Sequence, residues 1–321
     1  MRMRYLVPGA ALCMAMGVGP APATQLGDAA PALQVARWVK GKPVDLKAGR
    51  GKQVFVIEFW ATWCPPCRKA IPHLSEIQKK YKDKGVVVVG ITEEEPDVVQ
   101  PFVKEAGDNM AYTIAVDRDG AMDKAYMEAF GIDGIPHAFI VDREGRIAWH
   151  GHPETGMDKA LEEITAGKYD LEAAKREDKA RRLGNEYFDL LAKADEARTE
   201  KEKKEILKKA GDVGAEVVKQ AGRNAELLNG FAWTILTAPR LKVRDLDLAL
   251  KAAKAAYEAS EGRSADIADT YARALFDNGR KDEAVRYQRK AVELCKDEKM
   301  RSGLKKTLER YEKEAKATEK Q

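Results

Sequence analysis

Phe59-Trp60-Ala61-Thr62-Trp63-Cys64-Pro65-Pro66-Cys67-Arg68-Lys69 follows directly on the apolar run Val54-Phe55-Val56-Ile57, with Glu58 between them. The stretch sets two thiols three residues apart where a β-branched and aromatic strand gives way to a helix. A sulfur at the start of that helix meets unpaired amide N–H groups and the positive end of the helix dipole, which favour an exposed thiolate. Pro65 and Pro66 suit the first turn, where a missing N–H would have no partner anyway. A pair spaced in this way, at a strand-to-helix junction, reads as a reversible dithiol/disulfide couple. Cys64 is then the nucleophile and Cys67 the resolving thiol. As a permanent staple the pair would close too small a loop to restrict the unfolded chain much.

The rest of the cysteine inventory agrees. Beyond Cys64 and Cys67 the 321-residue chain has only Cys13 and Cys295, too few for a disulfide framework. Cys295 lies in the helical pattern Ala291-Val292-Glu293-Leu294-Cys295 and reads as a small apolar packer. Cys13 falls in an N-terminal segment with the form of a secretion signal. Arg2 and Arg4 are its positive end, residues 5–18 its apolar stretch and Ala21-Pro22-Ala23 its cleavage site. The mature chain is expected to be exported, periplasmic or otherwise extracytoplasmic, and an uncleaved signal would anchor it. The net charge of +4 is spread along the chain, with 56 Lys and Arg among 52 Asp and Glu. This excludes a basic nucleic-acid surface.

Residues 24–167 alternate strands and helices. Strands are expected at 54–59, 86–91, 112–116, 137–141 and 146–150, and helices at 66–82, 97–105, 121–130 and 157–166. Val86-Val87-Val88-Val89 does not alternate, as expected of a strand covered on both faces. Asp142-Arg143-Glu144-Gly145 reads as the turn of an antiparallel hairpin. Together these predict an α/β mixed sheet with helices on both faces. From residue 168 the strand signals vanish. Residues 168–210 read as a charged helical linker, 211–315 as an all-α domain and 316–321 as a tail. Within the all-α part, the segment from Asp247 to Ala256 recurs as Asp282 to Ala291, pairing Ala249 with Ala284 and Ala256 with Ala291. The spacing and small residues resemble tetratricopeptide repeats, although Gln288 stands where an aromatic is usual.

Three further residues carry chemistry. Glu58 interrupts an otherwise buried strand; a carboxylate there resists ionisation and is suited to exchange a proton with Cys67. It faces outward instead if the strand lies at an edge. Pro136, heading the strand at 137–141, cannot donate to a ladder and suits a cis bond that brings its turn beside the cysteines. His137 follows it as a possible tuner of the thiol. Of the acidic run Glu93-Glu94-Glu95, one member is expected to face the site.

Trp63-Cys64-Pro65-Pro66-Cys67, the helix-interior Pro72, Gly134-Ile135-Pro136 before Phe139-Ile140-Val141-Asp142, and the early Gly27-Asp28-Ala29-Ala30-Pro31 resemble the TlpA/ResA-type thiol–disulfide oxidoreductases of thioredoxin fold. The resemblance covers less than half of the chain. It implies nucleophilic Cys64, resolving Cys67 and cis-Pro136. Glu58 matches the buried acid of ordinary thioredoxins, and Glu94 aligns with the Glu that follows the next strand in TlpA/ResA proteins, so two proton acceptors stay open. The expected activity is reduction of protein disulfides, fed by an upstream electron donor, with no cofactor and no resident metal. Two alternatives remain. One is a copper-binding protein using His73, His137, His150 and His152. The other is an adaptor whose tetratricopeptide-like helices hold a protein partner, with the thioredoxin domain accessory.

Overall fold

The computed structural model describes residues 24–318; the expected signal segment with Cys13, and the last three residues, lie outside them. The chain divides at Gly167/Lys168 into two compact units.

The first unit is built on a six-stranded mixed sheet in the order β1-β4-β3-β2-β5-β6. The strands are β1 Val35–Lys40, β2 Val54–Phe59, β3 Val86–Thr92, β4 Thr113–Asp117, β5 His137–Val141 and β6 Ile147–Gly151. Parallel pairing joins β2 to β3 and β3 to β4, whereas β1, β5 and β6 run antiparallel to their neighbours. All six residues of β2 are buried, because it lies at the centre of the sheet with side chains covered above and below. Strand alternation separates Val56, Glu58 and Trp60 from Phe55, Ile57 and Phe59. The Trp60 ring meets Phe102 of α3 (Pro96–Ala106), and Phe59 meets Tyr126. Helical segments therefore cover both faces; the other helices of this unit are α1 Leu46–Gly49, α2 Pro65–Tyr81 and α4 Met157–Thr165.

Five strands and three helices fall within a residue or two of their expected positions. β1 was not expected, since Val35-Ala36-Arg37-Trp38-Val39-Lys40 alternates weakly; it gains its place by pairing with β4 through two register irregularities. The helix expected at 121–130 is interrupted by a wide-turn segment, Asp123–Met127, and a 3-10 turn, Glu128–Phe130. Asp117 there accepts hydrogen bonds from the Met122 and Asp123 amides. The β5–β6 turn forms as expected, with Gly145 at φ +77° and its N–H bonded to the Asp142 carbonyl.

The second unit is wholly helical: α5 Leu171–Glu196, α6 Glu200–Ala221, α7 Ala225–Thr237, α8 Leu246–Ala259, α9 Ala265–Asp277, α10 Lys281–Leu294 and α11 Glu298–Thr318. Helices pair in sequence as α5/α6, α7/α8 and α9/α10, and α11 packs on α10. Asp170, Thr199, Asn224 and Asp245 each cap a helix by accepting an amide hydrogen bond. Ala249 and Ala256 of α8, and Ala284 and Ala291 of α10, are all fully buried. The recurring alanines thus mark helix–helix contacts. The stretch expected as a linker instead belongs to this unit. Tyr187, Leu190, Leu191, Ala210 and Val217 share one core with α7–α9, while the charges occupy the opposite, solvated face. Gln288 is buried and donates to Asp269 Oδ1 at 2.7 Å, a polar contact between α9 and α10.

Phe139 is fully buried among the rings of Phe59, Tyr126, Phe130, His137 and His150. Phe139→Ala is expected to lower the unfolding free energy of the first unit by about 3–5 kcal/mol, read by urea denaturation.

Candidate functional site: a dithiol at a helix N-terminus

Helix α2, Pro65–Tyr81, opens immediately after β2. Cys64 is its N-cap residue, in extended conformation (φ −86°, ψ 106°), with Pro65 and Pro66 in the first turn. Its Sγ accepts the Cys67 N–H at 3.2 Å, and its carbonyl accepts the Arg68 N–H at 3.1 Å. An oxygen-bearing side chain usually fills this position; here a sulfur does. Cys64 and Cys67 are joined in a disulfide. Cys67, Ala70, Ile71 and Leu74 form the buried face of α2, and Pro72 lies inside the helix.

The peptide bond Ile135–Pro136 is cis, and the Ile135 carbonyl oxygen lies 3.9 Å from Cys64 Sγ. The structure thus brings Pro136 and the cysteines together across 71 residues of chain. Cys64 was expected to be exposed, yet it is only 2% exposed. The Ile135–Pro136 turn lies against the sulfur, which is bonded to buried Cys67. Trp63 beside it is 70% exposed, and Pro65 and Pro66 are exposed. The most prominent surface of the site is therefore an apolar ring next to the reactive pair.

The two carboxyls left open by the sequence have different surroundings. Glu94 accepts the Thr62 N–H and the Thr62 hydroxyl at 2.6 Å each, and the Thr92 hydroxyl at 3.3 Å. It ties the loop that leads into Cys64 to the end of β3. Charge-assisted hydrogen bonds of this length are the strong kind. Glu58 is fully buried, and neither of its carboxyl oxygens has a protein hydrogen-bond partner. Burial pushes its pKa well above the usual carboxylate range. Of the other two acids in the run, Glu95 is exposed and precedes α3. Glu93 is exposed, its pKa raised by burial and then by Asp123, Asp117 and Glu128.

His137 pairs with a second imidazole. Its Nε2 lies 3.1 Å from His150 Nδ1, and its ring lies tilted against those of Phe139 and His150. Burial, then the charges of His150 and His152, push its pKa down to about 3. Among the described residues no three His, Cys, Asp or Glu side chains are grouped to hold a metal ion. Sequence reasoning missed Thr62 and Thr92 as partners of Glu94, and Tyr112 as a neighbour of Glu58. Thr92 lies only two residues from Glu94 and was open to a local reading, whereas nothing along the chain links Thr62 to Glu94, 32 positions apart, or Tyr112 to Glu58 until the β2–β3–β4 register is known.

Between the ordinary glutamate pKa and the raised value, folded protein holds a proton on Glu58 that the unfolded chain has lost. Stability conferred by the protonated form is therefore complete in acid and falls by about 1.4 kcal/mol per pH unit as pH rises through that window. Glu58→Gln carries no such charge. The oxidised variant is expected to match or fall below wild type near pH ~4 and to overtake it increasingly toward neutral pH. Parallel unfolding curves at all pH values would remove Glu58 as a buried titrating group.

Known proteins resemble the first unit in sequence. The Redoxin family model matches residues 25–164. A ResA thiol-disulfide oxidoreductase of Bacillus thuringiensis subsp. konkukian is 36% identical over 124 residues, 38% of this chain and 67% of that protein. The ResA protein of Geobacillus thermodenitrificans is 30% identical over 126 residues, 39% of this chain and 68% of that one. A solved thiol:disulfide interchange protein from Bacteroides sp. is 25% identical, covers 45% of this chain and 93% of its own, and superposes with a TM-score of 0.39. The helical unit lies outside the matched family segment. With its thioredoxin-type sheet, its Cys-Pro-Pro-Cys disulfide at a helix N-terminus and these relatives, the chain belongs to the ResA family of thiol–disulfide oxidoreductases.

Proposed function

We propose that this oxidoreductase reduces disulfides of exported proteins, with Cys64 as the attacking sulfur and Cys67 as the resolving one. The single observation that carries the reading is Cys64 as N-cap of α2, its Sγ already accepting the Cys67 amide hydrogen. The same amide and the helix dipole stabilise a Cys64 thiolate once the disulfide is reduced. That thiolate attacks a substrate disulfide and forms a mixed disulfide, releasing one substrate thiolate. Glu58 then takes the proton of the Cys67 thiol. The Cys67 thiolate attacks Cys64 Sγ, the second substrate thiolate leaves, and the enzyme is left oxidised. A dithiol donor of the same chemistry must return two electrons before the next cycle.

Glu94 is a positioning residue in this scheme, holding Thr62 and with it the approach to Cys64. Exposed Trp63 gives substrate chains an apolar surface beside the sulfurs. An extracytoplasmic location is supported by the signal-like N-terminus and by the oxidising surroundings in which disulfide substrates persist. Among the described residues no helix is long and apolar enough to cross a membrane. For the helical unit we adopt the reading of a platform for a protein partner, supported by its tandem helical hairpins and recurring alanines.

Two variants test the assignment. Cys64→Ser is expected to abolish reduction of insulin disulfides. Cys67→Ala is expected to accumulate mixed disulfides that dithiothreitol releases. Trapping through Cys67 in a Cys64→Ala variant, with none through Cys64, would reverse the roles.

A further inference from the structure

Four buried polar atoms without a protein hydrogen-bond partner converge on one place in the first unit: Glu58 Oε1 and Oε2, Trp60 Nε1 and the Tyr112 hydroxyl. The sheet register explains the convergence. Glu58 stands opposite Gly90 on β3, and Gly90 opposite Ile114 on β4. Side chains two residues apart share a face, so Trp60 follows Glu58 and Tyr112 precedes Ile114 on that same face. Gly90 leaves the middle open. A Cβ built there would lie 3.0 Å from Trp60 Nε1 and 3.1 Å from Tyr112 Cε2. The indole N–H and the phenol ring thus crowd the one position opposite Glu58 that has no side chain. Tyr112 is 4% exposed, but other parts of it line an open cleft of about 950 Å³, together with Gln53, Phe55, Gln78 and Thr113.

Buried polar groups in native proteins are rarely left unpaired, and an enclosed site with two to four polar partners is the kind that holds ordered water. Here two donors face a carboxyl that has only acceptors when ionised. We propose that Glu58, Trp60 Nε1 and the Tyr112 hydroxyl enclose a buried hydration site, and that Tyr112 is a positioning residue that stabilises the Glu58 carboxylate through that water. The inference rests on the reading of Glu58 as the acceptor of the Cys67 proton. In that step the Cys67 S–H bond breaks and its proton passes to Glu58. The thiolate forms the new bond to Cys64 Sγ as the substrate sulfur leaves with its electron pair. A donor to ionised Glu58 sets the pH at which the acceptor is ready, opposing the effect of burial. Burial and the nearby Glu58 charge in turn keep the Tyr112 phenol protonated, hence a donor, by raising its pKa.

The test uses the full-length protein and three forms: wild type, Tyr112→Phe and Glu58→Gln. The pH dependence of mixed-disulfide resolution is recorded alongside the carbon-13 carboxyl shift of Glu58. Tyr112→Phe keeps the ring and removes the donor. Its Glu58 midpoint and its rate profile are both expected to move up by about one pH unit, and Glu58→Gln is expected to lose that inflection. If Tyr112→Phe titrates where wild type does while Glu58→Gln has lost the inflection, the role of Tyr112 is overturned and that of Glu58 stands. If Glu58→Gln keeps the inflection, the acceptor reading fails and this inference with it. A measurement on wild type alone guards against a variant that does not fold: the Trp60 indole N–H resonance should shift with the Glu58 titration. An indole resonance indifferent to that titration refutes the shared site.

Discussion

The N-terminus of α2 is the constraint on which the first unit depends. A helix of this length leaves its first amides without partners. Here one of them, that of Cys67, is answered by the sulfur of Cys64. In the proposed mechanism, the contact that satisfies the backbone also tunes the attacking sulfur. The prolines at the next two positions remove donors that had no partner to lose. Reactivity and helix capping are therefore one arrangement, and a serine cap would keep the helix while losing the chemistry. The burial of Cys64 in the oxidised form belongs to the same geometry, since the cis-Pro136 turn packs on the sulfur.

Around that point the sheet places two acids in different surroundings. Glu94 sits past the end of β3, where hydroxyls and an amide meet it, and it orders the loop before Cys64. Glu58 sits in the central strand, where no protein group hydrogen-bonds to its carboxyl. An unpaired buried carboxyl is a burden on stability, and a protein that keeps one gains a group whose protonation responds to its surroundings. The Gly90 position makes this possible by leaving the space opposite Glu58 free for the Trp60 and Tyr112 rings. The unpartnered carboxyl, indole N–H and phenol hydroxyl thus lie in one small polar patch inside an otherwise apolar layer.

The helical unit follows a different logic. Alanine is the commonest residue of its core, so helices approach closely and the stabilising contacts repeat with the hairpins. The aromatic residues are few and grouped. Tyr257, Tyr271 and Tyr287 meet one another at 4.6–5.5 Å, and Phe276 stacks on Tyr311 at 4.0 Å. Gln288 of α10 and Asp269 of α9 form a polar contact between these two helices. Heavy surface charge on α5 and α6 conceals their apolar stripe, which is why this part of the chain reads as a linker and folds as two packed helices.

The local features of the chain were legible in its sequence. The strand–Cys-Pro-Pro-Cys–helix junction, the hairpin turn at Asp142–Gly145, the cis-proline position and the alanine repeat all depend on residues close together in the chain, where spacing and backbone preference decide the outcome. β1 lay beyond that reach because a weakly alternating edge strand gains its stability from its partner β4 rather than from its own residues. The meaning of Glu58 and Glu94 lay beyond it too. Both are single acids near an active cysteine, and only pairing among β2, β3 and β4 determines which one meets hydroxyls and which meets an indole and a phenol. Side-chain type and spacing settle what a segment can become; the solvation of a charged group depends on neighbours brought in from distant parts of the chain, and those exist only once the sheet has closed.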